Sequence, residues 1–170
     1  MDIREVLLEE HSKSQCKKIV DYIGADKRRF AELMHAFFSN EYRVTQRAAW
    51  PMSYCVRDHP ELIGPYLGKL MELLQKPGVH NAVRRNITRL LQDIKIPKRY
   101  HGKVMTICFE FIGSVTTPVA VKAFSLTVLD NLSKDYPEIC QELKLIIEER
   151  WNHETPAFKS RARKILKSVN

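Results

Sequence analysis

The sequence is poor in glycine and has no long uninterrupted hydrophobic run. Only 6 of its 170 residues are glycine, fewer than sheet proteins with many tight turns usually need, and this favours helices. The longest apolar stretch, residues 104–115, contains Glu110 and is too short to cross a bilayer. The first 13 residues mix acids with apolar residues, so we expect neither a signal peptide nor a transit peptide. These features predict a soluble, cytoplasmic, helical protein.

The sequence also lacks any CxxC pair, so it predicts neither a zinc clasp nor a redox dithiol. Its four cysteines, Cys16, Cys55, Cys108 and Cys140, lie far apart among apolar residues. We expect reduced thiols in the core. Two disulfides are the alternative, but nothing in the sequence suggests a secreted chain.

Motifs for metals, phosphates and nucleophiles are missing as well. The sequence contains no HxH, HxxxH or HExxH spacing, no GxxxxGK[ST] or GxGxxG loop, and no GxSxG elbow. No catalytic residue, metal ligand or cofactor is therefore predicted, although a Ser-His-Asp set that forms only in space stays open. We expect Glu110 to face outward, the alternative being burial against Lys103 or Lys122.

The composition and the hydrophobic pattern indicate one globular, all-α domain. Hydrophobic residues make up 44% and charged residues 28% of the chain, as is typical of a folded domain of this size. In residues 62–74, LIGPYLGKLMELL, apolar side chains recur every three or four positions, which is a helical period. No stretch alternates cleanly enough to predict a strand. We treat residues 1–170 as one domain.

Prolines divide this helical pattern at regular intervals. Pro60, Pro97 and Pro137 each stand where a helix is expected to begin, a position that tolerates the missing N–H. Two of them belong to nearly identical phrases, DHPELI and DYPEIC. We expect Asp58 and Asp135 in these phrases to cap the helices that follow.

Between these breaks, a second set of helices repeats in register. Four apolar residues at spacings of 39, 38 and 37 mark equivalent positions, and a second set follows four residues later. The first set is Val44, Val83, Val121 and Phe158; the second is Ala48, Ile87, Ser125 and Ala162. A period near 40 with two helices per unit predicts an α-solenoid, in which units stack to bury their apolar faces.

The helix openings RVTQRAAW, AVRRNITRLL, AVKAFSLTVL and FKSRARKIL resemble the second helix of HEAT repeats. The resemblance to this HEAT-like or armadillo-type class implies an all-α, right-handed superhelix of about four helix hairpins over residues 27–167. Residues 1–26 would form an N-terminal cap of one or two helices. It also implies that the second helices line the concave side. Pro51 lies inside one of these helices and is expected to bend it.

Positive charge is concentrated in the proposed second helices. Residues 43–57, 79–95, 118–134 and 156–167 contain 14 Lys and Arg and only two acids, Asp93 and Asp130. With the resemblance, this predicts a basic groove that attracts an anionic partner; the alternative is a solvated face without a ligand. The candidate binding residues are Arg43, Arg47, Arg84, Arg85, Arg89, Lys122, Lys159, Arg161 and Arg163.

Two aromatic residues on the first of these helices are further candidates. Trp50 and Tyr54 could stack on nucleic-acid bases, although core packing explains Trp50 more simply. HEAT-like proteins include DNA glycosylases that remove alkylated bases, and QRAAWP beside a basic groove faintly resembles them. Such enzymes need an acid close to the aromatic, and the nearest, Asp58, is expected in a turn.

The sequence therefore favours binding over catalysis. We expect a scaffold whose basic groove binds an acidic protein surface or a nucleic-acid backbone, and we keep a glycosylase acting on alkylated DNA as the alternative. The last helix, with Ile165, Leu166 and Val169, has no unit after it. It is expected to pack backward in a monomer, or else to pair with a second copy.

Overall fold

A computed structural model describes the chain over residues 1–169, and the side chains over residues 1–168. Within these residues all of the regular secondary structure is helical and no strand occurs, which confirms the all-α prediction. The α-helices are α1 Ile3–Glu9, α2 Lys13–Ile23, α3 Lys27–Phe37, α4 Tyr42–Asp58, α5 Leu67–Gln75, α6 Asn81–Asp93, α7 Lys98–Gly113, α8 Val119–Ser133, α9 Ile139–Arg150 and α10 Pro156–Val169. Short 3-10 segments at Pro60–Tyr66 and Trp151–His153 precede α5 and α10.

The helices form two layers because each even-numbered helix contacts the next even-numbered one. α2 contacts α4, α4 contacts α6, α6 contacts α8, and α8 contacts α10. In the other layer α1 contacts α3, α5 contacts α7, and α7 contacts α9. Within each pair the layers also pack together, as α3 does on α4 and α7 on α8. We call α2, α4, α6, α8 and α10 the second-helix layer.

The eight register residues explain this stacking. All of them are buried, with exposed fractions between 0% and 7%: Val44, Ala48, Val83, Ile87, Val121, Ser125, Phe158 and Ala162. The one polar member, Ser125, donates its hydroxyl hydrogen to the Val121 carbonyl at 2.8 Å. Its polar group is therefore satisfied inside the core. A repeated buried position in each unit is what a solenoid needs, because one hairpin cannot bury its apolar face alone.

The residues predicted to cap two of the helices do not do so. Asp58 does not cap a helix; it pairs with Arg57 at the end of α4. Asp135 does not cap α9 either, because that helix begins after Glu138 without a side-chain cap. Side-chain caps are found instead at Asp2, Ser12, Asp26 and His80.

Three further expectations concern single residues. Glu110 is exposed, as predicted. α4 continues through Pro51 as one helix from Tyr42 to Asp58, and the ring leaves the Arg47 carbonyl without its usual helical donor. None of the helices within residues 1–169 combines the length and apolar character needed to cross a membrane.

The end of the solenoid packs backward. α10 contacts α8 and α9, and it buries Phe158, Ala162 and Ile165. Leu166 is half-buried in the same core, and the side chain of Val169 lies outside the described residues. The apolar stripe of α10 is therefore largely covered by the chain itself.

Candidate functional site

The nine candidate cations differ in how much of each side chain is exposed to solvent. Arg43, Arg85, Arg89 and Arg163 are exposed, whereas Arg47, Arg84, Lys159 and Arg161 are half-buried. Lys122 is buried, with 4% of its surface exposed. An ion can meet only the charges that reach solvent, so these residues do not contribute equally to an anion-binding surface.

Two of the half-buried arginines bind backbone carbonyls. Arg47 Nη1 donates to the carbonyls of Leu7 at 2.8 Å and Leu8 at 3.1 Å, which joins the end of α1 to α4. Arg84 Nη2 donates to the Lys76 carbonyl after α5, at 3.2 Å. Both guanidinium groups sit where free carbonyls accumulate, near the C-terminal ends of helices. Arg47 and Arg84 therefore have structural contacts that compete with a partner.

Lys122 belongs to a buried ion-pair cluster. Its Nζ donates to Glu154 Oε1 at 2.6 Å, and Arg150 Nη2 donates to the same oxygen at 2.9 Å. Burial alone would raise the pKa of Glu154, but these hydrogen bonds from Lys122 and Arg150 lower it below its ordinary value. The cluster joins α8 to the segment before α10. Lys122 is therefore buried and paired within the protein, where it does not reach a partner at the surface.

Arg161 crosses the second-helix layer. Its Nη1 donates to Gln92 Oε1 of α6 at 2.9 Å and also to Thr127 Oγ1 of α8. Its guanidinium lies 5.1 Å from the ring centre of Phe124. One side chain of α10 thus joins the last three members of the layer and stacks on an aromatic ring.

The other two candidate cations of α10 lie near one indole ring. Lys159 Nζ lies 5.8 Å and the Arg163 guanidinium 5.4 Å from the ring centre of Trp151. These distances are within the range of cation–π attraction. Lys159 and Arg163 therefore flank an aromatic ring at the end of the chain, away from α4 and α6.

A polar cleft lies between α4 and α6, with a volume of about 180 Å³. We call it the basic cleft. It is lined by His11, Gln46, Ala49, Trp50, Ser53, Arg85, Asn86 and Arg89. Arg85 and Arg89 stand one helical turn apart, so both reach the same cleft. No lining residue is acidic.

The two arginines of the basic cleft form no ion pair, although Asp93 lies one helical turn beyond Arg89 and lines an adjoining cleft with it. Among residues 1–168, no carboxylate lies within ion-pair distance of Arg85 or Arg89. Two like charges at this spacing repel each other slightly. An anion placed between them would relieve that repulsion and could accept hydrogen bonds from both guanidinium groups.

A second cleft lies on the other side of Trp50, between α2 and α4, with a volume of about 250 Å³. We call it the apolar cleft, because Cys16, Val20, Trp50 and Tyr54 form its walls. The charged residues that line it are Lys13, Lys17, Asp21, Arg57 and Asp58. Four of these pair with one another, Lys17 with Asp21 at 2.5 Å and Arg57 with Asp58 at 2.9 Å.

Trp50 is the wall that both clefts share. Its indole is half-buried and meets the His11 ring edge-on, with ring centres 5.2 Å apart. The neighbouring Tyr54 ring carries the Arg57 guanidinium at 4.6 Å. Trp50 is therefore only partly a core residue, and its ring is also only partly available for stacking with a ligand.

The apolar cleft also contains the residues that the glycosylase alternative requires. Trp50, Tyr54 and Asp58 all line it. The hydrogen bond from Arg57 lowers the pKa of Asp58, which is exposed. Asp58 is therefore a carboxylate at neutral pH, suited to stabilising positive charge rather than donating a proton.

A further cleft, with a volume of about 610 Å³, lies at the turns between the helix pairs. Tyr42 and His80 form one side, with ring centres 4.1 Å apart. Lys69 lies 4.2 Å from the ring centre of Phe38 on another side. None of the candidate binding cations lines this cleft. Among the described residues, no group of three or more His, Cys, Asp or Glu is placed to hold a metal ion.

The two-layer stack of helices and the repeated buried register define an α-helical repeat protein. Residues 3–169 match the family described as the HEAT repeat domain, and the chain belongs to that family. This confirms the resemblance seen in the second helices. No curated protein and no solved structure matches the chain significantly. A HEAT repeat domain suggests a helical scaffold or a protein-interaction module.

Sequence reasoning did not find several residues of the clefts. His11, Gln46, Ser53 and Asn86 line the basic cleft without belonging to any motif. The repeat register contains a usable signal for Gln46, because it follows the register residue Val44 by two positions, as the predicted Arg85 follows Val83. His11 comes from the turn between α1 and α2, and no pattern in the sequence relates it to Trp50.

Proposed function

We propose that the exposed side of α4 and α6 binds an acidic partner, and that the protein acts as a non-catalytic scaffold. The observation that supports this most is the basic cleft, where Arg85 and Arg89 are exposed one turn apart and neither forms an ion pair among the described residues. Guanidinium groups bind carboxylates and phosphates through paired hydrogen bonds. An acidic protein surface or a nucleic-acid backbone has the required charge.

Other exposed cations extend this surface. Arg43 is exposed near the start of α4, and Arg163 is exposed on α10 beside Lys159. The 14 basic residues against two acids in the predicted second helices favour a positive potential along the whole layer. Such a potential speeds the capture of an anionic chain and weakens as salt is added.

A charge-reversal variant tests this proposal. Arg85→Glu/Arg89→Glu should lose binding to a fluorescein-labelled oligoglutamate peptide or a labelled DNA duplex, measured by fluorescence anisotropy in low salt. The matched control is Lys98→Glu/Lys103→Glu, which changes the net charge equally at two exposed residues of α7. Equal loss in both variants would mean that only the net charge matters, and it would contradict the proposal.

The two anionic probes also separate the two kinds of partner. For duplex DNA, the logarithm of affinity should fall with the logarithm of salt concentration by roughly 0.9 per phosphate neutralised. If the duplex binds with such a slope and the peptide does not bind, the partner is a nucleic acid. If neither probe binds at low salt, the acidic-partner proposal is wrong.

A second candidate function is removal of alkylated bases from DNA. It is favoured by one observation, that Trp50, Tyr54 and Asp58 line the same cleft. The carboxylate of Asp58 would stabilise the positive charge that develops on the sugar. A base-excision assay on alkylated duplex, with Asp58→Asn as the control, tests this candidate. Release of bases that Asp58→Asn abolishes would favour the enzyme over the scaffold.

The cytoplasmic location and the monomeric state remain predictions from the sequence. The free thiols of Cys16, Cys55, Cys108 and Cys140 fit a reducing compartment. The backward packing of α10 leaves little of its apolar stripe for a second copy. Light scattering on the purified chain would separate a monomer of 19.8 kDa from a dimer.

A further inference from the structure

Two clefts of different chemistry lie side by side on the second-helix layer, with Trp50 as their common wall. On the α2 side the walls are apolar and most of the nearby charges are already paired. On the α6 side the walls are polar, no acid lines the cleft, and neither of the two arginines forms an ion pair among the described residues. A ligand that crossed α4 would therefore meet an apolar site first and a cationic site next.

We infer that the two clefts form one bipartite site for an extended acidic peptide. The peptide places a branched or aromatic apolar side chain in the apolar cleft and a carboxylate side chain in the basic cleft. This inference rests on the proposed function, because it specifies which acidic partner the surface selects.

The apolar cleft suits one buried side chain. Cys16, Val20, Trp50 and Tyr54 offer thiol, aliphatic and aromatic surface. Burial raises the pKa of the Cys16 thiol to about 11, so this wall stays neutral at physiological pH. Because Lys17 pairs with Asp21 and Arg57 with Asp58, the rim adds little net charge. Affinity at this end comes from removing apolar surface from water.

The basic cleft suits a carboxylate because its free groups are mainly hydrogen-bond donors. Arg85 and Arg89 contribute guanidinium groups, and Gln46 and Asn86 contribute amides. The Ser53 hydroxyl already donates to the Ala49 carbonyl at 2.9 Å. A planar carboxylate can accept paired hydrogen bonds from one guanidinium while the second adds charge. The volume of about 180 Å³ fits an acidic side chain rather than a folded surface.

The distance between the clefts sets the spacing in the peptide. Each cleft lies beside α4, and packed helices have axes about 8–10 Å apart. An extended chain rises about 3.3 Å per residue, so about three residues separate the two side chains. The expected pattern is an apolar residue followed or preceded, three positions away, by Asp or Glu.

The charges around the apolar cleft favour a peptide over a nucleic acid. A nucleic-acid strand crossing α4 would bring a phosphate close to Asp21 and Asp58, both of which line that cleft. A phosphate would gain little there, because Lys17 and Arg57 are already paired with these two carboxylates and the walls of the cleft are apolar. A peptide with a neutral apolar residue at this point instead buries that residue against the apolar walls.

The test compares short labelled peptides that differ in one feature. The first probe is a ten-residue Gly-Ser peptide with one Leu and, three positions later, two adjacent Glu residues. The second replaces the Leu by Ser, and the third moves the Glu pair three positions further away. Burial of one Leu corresponds to about 1.5–3 kcal/mol, so the second probe should bind the full chain about tenfold or more weakly in an anisotropy titration. The third probe should also bind more weakly than the first, because its Leu and Glu residues cannot reach both clefts at once.

A substitution in the apolar cleft tests whether the Leu of the first probe binds there. Val20→Ala should weaken the first probe but not the second, whereas Val79→Ala, another half-buried valine away from both clefts, should affect neither. Comparing two peptides on the same variant keeps the result independent of any loss of stability.

Each outcome decides between the inference and the proposed function. If the Leu and the spacing both matter and Val20→Ala removes the difference, the bipartite site is supported. If all three peptides bind equally and Arg85→Glu/Arg89→Glu abolishes binding, the acidic-partner function stands and the bipartite site is wrong. If only DNA binds, the inference is overturned and the partner is a nucleic acid. If no probe binds, both are overturned.

Discussion

The ammonium of Lys122 lies 2.6 Å from Glu154 Oε1 in the interior, with only 5% and 3% of the two side chains exposed. Arg150 joins them from α9 with 14% of its side chain exposed. A buried charge is stable only when partners replace the water it has lost. The cluster therefore couples α8, α9 and the segment before α10 at the end of the solenoid.

Removing one charge from this cluster should destabilise the protein. We expect Glu154→Gln to lower the free energy of unfolding by about 3–5 kcal/mol, because it leaves Lys122 buried without a counter-charge. Urea unfolding followed by circular dichroism measures the effect. Glu148→Gln, at an exposed position of α9, is the control and should change stability by less than about 0.5 kcal/mol. Equal stabilities of the two variants would contradict the role of the cluster.

The same carboxylate should make stability depend on pH in the acid range. The pKa of Glu154 is lowered in the folded protein, so the unfolded chain binds more protons below the ordinary value of 4.5. The contribution of Glu154 is complete above that value and is lost as pH falls through the lower folded pKa. The stability difference between wild type and Glu154→Gln should therefore shrink below about pH 4.5. A difference that stayed constant between pH 7 and pH 3 would disagree with this.

The register residues should dominate the stability of the core. Ile87 is completely buried in α6, whereas Leu145 of α9 is 55% exposed. We expect Ile87→Ala to cost about 2–5 kcal/mol through lost contacts and a cavity. Leu145→Ala, the control, should cost less than about 0.5 kcal/mol. Thermal or urea unfolding measures both variants. Similar losses of stability in Ile87→Ala and Leu145→Ala would contradict the proposed stacking.

The thiols should differ strongly in reactivity. Burial raises the pKa of Cys55 and Cys108 to about 12 and that of Cys16 to about 11, so these thiols are protonated and shielded at pH 8. Cys140 is only half-buried. Iodoacetamide followed by mass spectrometry should label Cys140 first in the native protein and the others only after unfolding. Labelling of Cys55 or Cys108 at the rate of Cys140 would refute this.

The periodic part of the structure could be predicted from the sequence. The ranges 43–57, 79–95, 118–134 and 156–167 lie within two residues of α4, α6, α8 and α10 at every boundary. Repetition made this possible, because four equivalent helices show the same spacing of buried residues. Proline also marked the helix starts approximately, since Pro60 is the first residue of its helical segment, Pro97 directly precedes α7, and α9 begins two residues after Pro137.

Contacts between distant residues could not be predicted in this way. Lys122 and Glu154 are 32 positions apart, and nothing local distinguishes Lys122 from an exposed lysine of a second helix. The cap assigned to Asp58 was wrong because Arg57, its immediate neighbour, offers a stronger charge-assisted partner than a backbone N–H. Which residues line the basic cleft depends on which faces of α4 and α6 pack together. The hydrophobic period of a sequence limits the possible faces but does not identify the pair that meet.

The most direct test of the central claim is to locate an acidic peptide on the folded protein by NMR. Addition of the Leu-containing acidic peptide to uniformly 15N-labelled protein should shift the amide signals of Gln46, Arg85, Asn86 and Arg89, together with the indole N–H of Trp50. The amide signals of Lys98 and Lys103, at exposed positions of α7, serve as the internal reference. Shifts concentrated on α7 and α9, or spread evenly over the surface, would contradict binding at the second-helix layer.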